Sequence, residues 1–155
     1  MTRYEKFEYL RDKGWTYNLE TGEIFTSRGK VCNATNAKGY VQCGMSIHKK
    51  GKTANFYILY GHHFAWFWVN GNVEINEIDH INRNKTDNRI CNLRNVTHQV
   101  NTWNSKHKGY YYHKRDKKYM ARIALNNKTI YLGLYDTPEE ARQAYLNAKQ
   151  KYHVI

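Results

Sequence analysis

The stretch that decides the fold is residues 78 to 101, which read Ile-Asp-His-Ile-Asn-Arg-Asn-Lys-Thr-Asp-Asn-Arg-Ile-Cys-Asn-Leu-Arg-Asn-Val-Thr-His-Gln-Val-Asn. The apolar residues Ile78 and Ile81 flank Asp79-His80, a polar loop follows, and apolar residues then return. Thr97 is a suitable N-cap for a helix that runs to about Asn104. The predicted order is a strand within Glu74 to Ile81, a long polar loop, a second strand or extended turn over Arg89 to Arg94, and a helix.

The pair Asp79-His80 can supply two requirements of phosphodiester hydrolysis, a ligand for a metal ion and a base. A carboxylate is a hard oxygen ligand suited to Mg²⁺ or Mn²⁺. A histidine with a pKa near neutrality can take a proton from the attacking water. Because neighbouring side chains on a regular strand point to opposite faces, both can reach one phosphate only from a strand end or a bend. Taken alone, such a pair is usually an ordinary polar surface feature.

Two further residues give the pair its meaning. Asn92 follows His80 by twelve residues and Asn101 by twenty-one. With these spacings the stretch resembles the ββα-metal finger of HNH nucleases, particularly the phage and intron homing group. The similarity continues upstream, in segments that look like the sheet and helix preceding this finger: Thr21-Gly22-Glu23-Ile24-Phe25, Lys38-Gly39-Tyr40 and His62-His63-Phe64-Ala65-Trp66.

The resemblance implies a role for each of the four residues. His80 would be the general base, and Asn92 would orient it. Asp79 and Asn101 would bind one divalent metal ion, Mg²⁺ or Mn²⁺. Because the last position is sometimes histidine in the family and is a neutral amide here, metal binding should be weak until DNA phosphate completes the coordination. For His62 and His63 a structural role is expected in preference to a catalytic one.

The residues before the motif predict a helix, a small sheet and a second helix. Thr2 to Lys13 reads as a short helix that stops at Gly14. Tyr57 to Val69 is apolar on nearly all sides and ends at Asn70-Gly71, which predicts a buried helix with Trp66, Phe67 and Trp68 in the core. Between them, short antiparallel strands are separated by the turns Thr21-Gly22, Arg28-Gly29-Lys30, Lys38-Gly39 and Lys50-Gly51-Lys52.

The C-terminal third reads as a separate unit after a polar linker at 105–108. Alternating apolar residues on either side of the Asn126-Asn127 turn predict a hairpin. Thr137-Pro138-Glu139-Glu140 has the form of a capping box with proline at the first helical position. A helix with one apolar stripe follows, through Ala141, Ala144, Tyr145 and Ala148. Three short strands therefore lead into one packing helix.

This unit resembles an AP2 DNA-binding domain, most clearly in Met120-Ala121-Arg122-Ile123 and in the segment from Tyr131 to Ala141. The resemblance implies that the sheet face away from the helix enters the major groove, where Arg122 and Tyr131 would point. Phosphate contacts are expected from Lys114, Arg115, Tyr119 and Lys128. Arg83, Lys85, Arg89 and Arg94 are further candidates in the first domain, although a solvated charge run is nearly as good an explanation. The run Tyr110-Tyr111-Tyr112 departs from the usual arginine-bearing first strand, so no sequence preference is carried over.

The composition points to a polyanionic partner. The 155 residues carry 25 Lys and Arg against 13 Asp and Glu, a formal net charge of +12 and an isoelectric point near 9.6. Residues 105–155 hold eleven of the basic residues and four acidic ones, so this part has a net charge of +7. Fourteen tyrosines and four tryptophans lie among the basic residues, which favours nucleic acid over a membrane surface.

Other features exclude alternatives. No apolar stretch approaches the roughly 20 residues of a membrane span, and the first residues lack the apolar core of a signal peptide, which predicts a cytoplasmic protein. The three cysteines Cys32, Cys43 and Cys91 show no zinc-binding spacing, so reduced thiols without a functional role are expected.

Together these features predict an α+β protein with an HNH nuclease domain at 1–104, whose metal motif covers about 74–104, a linker at 105–108 and an AP2-like domain at 109–155. It would hydrolyse phosphodiester bonds in double-stranded DNA as a monomeric, metal-dependent homing or nicking endonuclease. One alternative is a non-catalytic DNA-binding regulator with a degenerate HNH fold. Another is an RNA-binding or RNA-processing protein, but the sequence contains no recognisable RNA-binding signature that would support it.

Overall fold

The computed structural model describes residues 1–47, 55–73 and 76–153. The chain forms two compact units, which extend over residues 1–97 and 98–155. Small antiparallel sheets alternate with helices, so the predicted α+β class is confirmed. The turn predicted at Lys50-Gly51-Lys52 and the start of the strand predicted at Glu74 and Ile75 lie outside the described residues.

The N-terminal unit begins with a helix and two small hairpins. Thr2 caps helix α1, and a capping box with Glu5 completes its first turn. Glycines in the left-handed region occupy the predicted turns at Gly22, Gly29 and Gly39. The elements in this part are α1 (Arg3–Asp12), the antiparallel pair β1 (Thr16–Tyr17) and β2 (Ile24–Phe25), and the antiparallel pair β3 (Gln42–Ile47) and β4 (Asn55–Tyr60).

The helix predicted over Tyr57 to Val69 begins later than expected. Its first residues belong to β4, and helix α2 covers Gly61–Asn70. In β4 the side chains alternate, with Leu59 buried and Ile58 exposed. A short apolar run does not distinguish a strand from a helix by its own pattern. Pairing with β3 decides in favour of the strand, which is a constraint that the local sequence does not contain.

Helix α2 supplies much of the core of the first unit. Its Phe64 and Phe67 are buried, and their rings lie 5.8 and 5.4 Å from the ring of Phe7 on α1. Trp66 and Trp68 are only partly buried and pack against this core from its edge. In the described part of the chain, no helix combines the length and the apolar character needed to cross a membrane.

The motif itself folds in the predicted order. Strand β5 (Glu77–His80) pairs with the antiparallel β6 (Leu93–Val96), and helix α3 (His98–Trp103) follows. The second strand starts at Leu93 because Ile90–Asn92 forms a single 3₁₀ turn. The long polar loop therefore runs from Ile81 through this turn and returns the chain beside His80.

The C-terminal unit contains a three-stranded sheet and one helix, as predicted. Strands β7 (Tyr110–His113), β8 (Lys118–Leu125) and β9 (Lys128–Tyr135) form a meander, and α4 (Pro138–Tyr152) packs on it. Both turn residues Asn126 and Asn127 have positive φ, as a tight hairpin requires. Thr137 and Glu140 form the predicted capping box. Ile123, Tyr145 and Ala148 form the buried centre.

Candidate active site and DNA-binding face

The pair Asp79-His80 lies at the end of a strand. Strand β5 ends at His80, and the chain turns immediately afterwards. Asp79 is 7% exposed and His80 is 3% exposed. The position at a strand end meets the geometric requirement for two neighbouring side chains to serve one site. Their burial distinguishes them from an ordinary polar surface pair.

The ring of His80 is held by Asn88, an asparagine of the polar loop. His80 Nε2 lies 3.1 Å from Asn88 Oδ1. An amide oxygen only accepts hydrogen bonds, so Nε2 carries the proton and the neutral ring has its lone pair on Nδ1. Burial lowers the pKa of His80, and the bond to Asn88 partly opposes this. The imidazole is therefore neutral at pH 7, which is the state that can accept a proton.

Asn88 is fixed by elements outside the motif. It is buried, and the hydroxyl of Tyr17 on β1 donates to its carbonyl oxygen at 2.8 Å. Gly22 and Gly61 leave the space that Asn88 and its neighbour occupy: an added Cβ would lie 2.4 Å from the backbone nitrogen of Arg89 or 2.9 Å from Asn88 Nδ2. The small N-terminal sheet and the start of α2 thus buttress the loop that orients His80.

Asn92 braces the same loop. Its Nδ2 donates to the carbonyl of Asp87 at 2.8 Å, and its Oδ1 accepts from the backbone N–H of Asn82 at 3.0 Å. These bonds join both ends of the polar loop. Orientation of His80 by Asn92 stays a prediction. The hydrogen bonds of Asn92 hold the loop, and Asn88 of this loop contacts His80.

The carboxylate of Asp79 forms an ion pair with Arg94. These residues face each other across β5 and β6, and Arg94 Nε and Nη2 lie 3.0 and 2.7 Å from Asp79 Oδ2. Arg94, a predicted candidate for a phosphate contact, pairs with the candidate metal ligand, and its contact with DNA stays a prediction. The ion pair balances the charge of a largely buried carboxylate.

Two aromatic side chains line His80. The ring of His62 packs edge-on at 5.1 Å, and the ring of Tyr40 lies at 6.0 Å. Burial and the neighbouring His63 lower the pKa of His62 to about 2, so its ring stays neutral beside the candidate base. Among the described residues its buried Nδ1 has no hydrogen-bond partner. His62 thus packs as expected, but it does so against the candidate catalytic histidine.

The available donors suit a hard divalent ion completed by other oxygens. Asp79 offers a carboxylate, and Asn101, half-buried on α3 in the second unit, offers an amide oxygen. Within residues 1–47, 55–73 and 76–153, no group of three or more His, Cys, Asp or Glu could hold an ion. Each donor type suits Mg²⁺ or Mn²⁺, which commonly keep waters and take phosphate oxygens. Binding of one ion by both residues stays a prediction.

The basic residues of the polar loop differ in their contacts and in their exposure. Arg89 donates to both carboxylate oxygens of Asp87 at 2.7 Å and lowers the pKa of that carboxyl to about 2. Lys85 donates to the carbonyl of Lys38 and lies over the ring of Tyr40. Arg83 is exposed and has a positive φ. As DNA contacts all three remain predictions.

The outer face of the C-terminal sheet presents the predicted pair. Arg122 and Tyr131 are directly opposite on β8 and β9. Both are exposed, and Tyr131 is 58% exposed. The guanidinium of Arg122 also lies 4.9 Å from the ring centroid of Tyr111 on β7. A cation flanked by two tyrosines therefore stands on the side of the sheet opposite α4.

The other four candidates of this unit separate into two groups. Lys114 and Arg115 are exposed in the turn before β8, and Lys128 is exposed at the start of β9. Tyr119 is half-buried and packs against the rings of Tyr110 and Tyr112. By strand alternation it shares the face of Ala121, away from Arg122. The first group is exposed and its phosphate contacts stay a prediction, whereas Tyr119 is not on the outer face.

The sequence does not single out Asn88, and it indicates Arg94 only as a candidate phosphate contact. An asparagine in a polar loop is typical of a turn, so its type carried no further signal. The contact between Asp79 and Arg94 could have been found from the strand register, because the two residues are paired across an antiparallel ladder. That register depends on where the 3₁₀ turn ends, which the sequence leaves open.

Comparison with protein families finds two matches along the chain. A family model described as HNH endonuclease matches residues 59–102, and a model described as AP2 domain matches residues 105–153. No curated protein and no solved structure gave a significant match. The chain thus carries an HNH endonuclease domain followed by an AP2 domain.

Proposed function

We propose that this protein is a divalent-metal-dependent endonuclease that hydrolyses phosphodiester bonds in double-stranded DNA. The observation that carries the proposal is the buried, neutral His80, whose ring is held by Asn88 beside the carboxylate of Asp79. A histidine kept only for packing would not require a loop braced by Tyr17 and Asn92 around it. The arrangement favours a general base with a fixed ring over a surface histidine.

In this proposal His80 accepts the proton of the attacking water at Nδ1, because Nε2 already donates to Asn88. Asp79 and Asn101 would hold the metal ion. A bound Mg²⁺ or Mn²⁺ would supply Lewis-acid polarisation of the phosphate and stabilise the departing 3′ oxygen. Arg94 holds the carboxylate of Asp79 in place. The products would carry a 5′-phosphate and a 3′-hydroxyl.

The AP2 domain would hold the duplex. Its exposed Arg122 and Tyr131 suit base edges in the major groove, which admits a sheet. Lys114, Arg115 and Lys128 suit phosphates. The net charge of +7 over residues 105–155 supports strong, salt-dependent binding in this part of the chain.

Replacing Arg122 by alanine is expected to weaken duplex binding by about tenfold, because one good base contact contributes roughly 1–3 kcal/mol. Lys151→Ala removes the same charge from the exposed surface of α4 and should have a much smaller effect. Fluorescence anisotropy with a labelled duplex at fixed salt measures both. Equal losses would mean that only the net charge matters and that the outer sheet face is not the binding face.

The direct test of the activity uses supercoiled plasmid. With Mg²⁺ or Mn²⁺ the protein should convert it to open circles, since one active site per chain makes a nick the simpler product, and a chelator should stop the reaction. DNA ligase should then reseal the circles without any other treatment, because the ends are a 5′-phosphate and a 3′-hydroxyl. Open circles that ligase does not reseal would contradict the proposed chemistry.

The biological setting is the finer part of the proposal. We infer a phage-type homing or nicking enzyme that acts as a monomer in the host cytoplasm. Its support is the pairing of an HNH domain with an AP2 domain and the strongly basic composition. Mapping the cleavage sites on phage and host DNA tests it: recurrent cleavage at few sites would support homing, and uniform cleavage would oppose it.

A further inference from the structure

Helix α3, which carries Asn101, is bound at both ends within the C-terminal unit. Near its start Gln99 Nε2 donates to Oδ1 of Asn126, in the turn between β8 and β9, at 3.1 Å. At its end the ring of Trp103 stacks on His153, with centroids 4.4 Å apart and planes inclined by 10°. Asn101, the last residue of the HNH motif, is therefore on a helix that contacts residues 105–153, which are called the AP2 unit below.

The partner of Trp103 is itself fixed. His153 Nε2 lies 2.8 Å from the carbonyl oxygen of Ala124 on β8, and this oxygen can only accept, so Nε2 donates. The backbone N–H of His153 donates to the carbonyl of Lys149 at 2.9 Å. Lys149 in turn reaches the carbonyl of Ser105, just after α3, at 3.3 Å. The stack is thus tied to both the sheet and α4.

The segment predicted as a linker also packs on α4. Arg142 donates to the carbonyls of His107 and Lys108, the latter at 2.8 Å. Gly109 has a φ of +78°, and an added Cβ would lie 1.9 Å from Cγ of Tyr145. The chain between α3 and β7 is therefore held against the helix at successive points. It is bound to the AP2 unit from α3 to the start of the sheet.

We propose that the AP2 unit positions the metal ligand Asn101 by holding α3, in addition to binding DNA. The inference rests on the proposed function, in which Asn101 is a ligand. A helix of six residues is too short to be stable alone, so its order depends on tertiary contacts, among them those of Gln99 and Trp103. Gln99, Trp103 and His153 are then positioning residues of the nuclease site.

The test measures metal binding separately from cleavage. In full-length protein carrying His80→Ala, with an unlabelled duplex bound, Mn²⁺ affinity is measured by electron paramagnetic resonance. Trp103→Ala should weaken Mn²⁺ binding about tenfold, comparable with other losses of support around a metal ligand, and Gln99→Ala by about threefold. Trp103→Phe should largely restore it, because the stack on His153 remains. Duplex affinity in chelator should stay within about threefold for all variants.

Gln143→Ala is the matched control, because it removes an exposed bond to Asn147 on α4 that does not involve α3. Mn²⁺ affinity that is the same in all variants and the control would overturn the inference. So would a loss of duplex binding as large as the loss of Mn²⁺ binding, because the contacts would then support the AP2 fold only. If His80→Ala protein with duplex takes up no Mn²⁺ and the wild-type chain cuts nothing, the proposed function itself fails.

Discussion

Replacing His80 by alanine is expected to lower the rate of plasmid nicking by at least about a hundredfold, the usual contribution of a general base. The side chain is buried, neutral at pH 7 and held by Asn88, and its removal takes away the nitrogen that is proposed to accept the proton. Duplex binding should hardly change, because the variant keeps the proposed metal ligands and the AP2 domain. The rate is measured under single-turnover conditions with saturating metal ion.

The control for His80→Ala is His107→Ala, which makes the same substitution at an exposed position. Its nicking rate should match that of the wild-type chain. A His80→Ala variant that keeps more than about a tenth of the wild-type rate would exclude the general-base role, since a base contributes more than this. His80 would then be a packing residue beside His62 and Tyr40.

The second large effect is expected from Asp79→Asn. This change keeps the size of the side chain but removes the charge of the proposed metal ligand. We expect the metal concentration for half-maximal nicking to rise by about 10- to 100-fold, with a lower maximal rate. The variant also leaves Arg94 without its carboxylate, so the melting temperature should fall. Titrating Mg²⁺ and Mn²⁺ in the plasmid assay gives the first quantity and thermal unfolding the second.

Arg94→Gln separates the two consequences of that substitution. It breaks the same ion pair but leaves the carboxylate of Asp79, so it should lower the melting temperature while requiring far less additional metal than Asp79→Asn. If both variants shift the metal requirement equally, the ion pair rather than a metal ligand explains the effect. Asp79 would then have a structural role in the β5–β6 pair.

The features that the sequence predicts well are those written in short local signals. The capping box at Thr137 and the Asn126-Asn127 hairpin each depend on residues within one turn. The order of strand, polar loop, strand and helix around Asp79 has a similar local basis. The misplaced start of α2 is the counterexample, because the pairing of β4 with β3 overrides an apolar run that reads equally well as helix.

The candidate site is predicted only in part. The resemblance to HNH nucleases identifies four positions, but the support of His80 by Asn88 depends on Tyr17, which is 71 residues distant in sequence. No local pattern links these residues. The anchoring of α3 is equally non-local, since Trp103 meets His153 fifty residues later. Such contacts follow from tertiary packing. The polar composition of residues 105–108 predicts a linker between the two domains but does not reveal these contacts.

The central claim is that this chain cuts the DNA it binds, and one paired measurement tests it most directly. Duplex binding and strand breakage are followed on the same circular DNA with wild-type and His80→Ala protein, across Mg²⁺ and Mn²⁺ concentrations. We predict equal binding by both proteins and nicking by the wild-type chain alone. Wild-type protein that binds yet leaves the DNA intact with every ion, while a control nuclease cuts it, would contradict the account and favour a DNA-binding regulator.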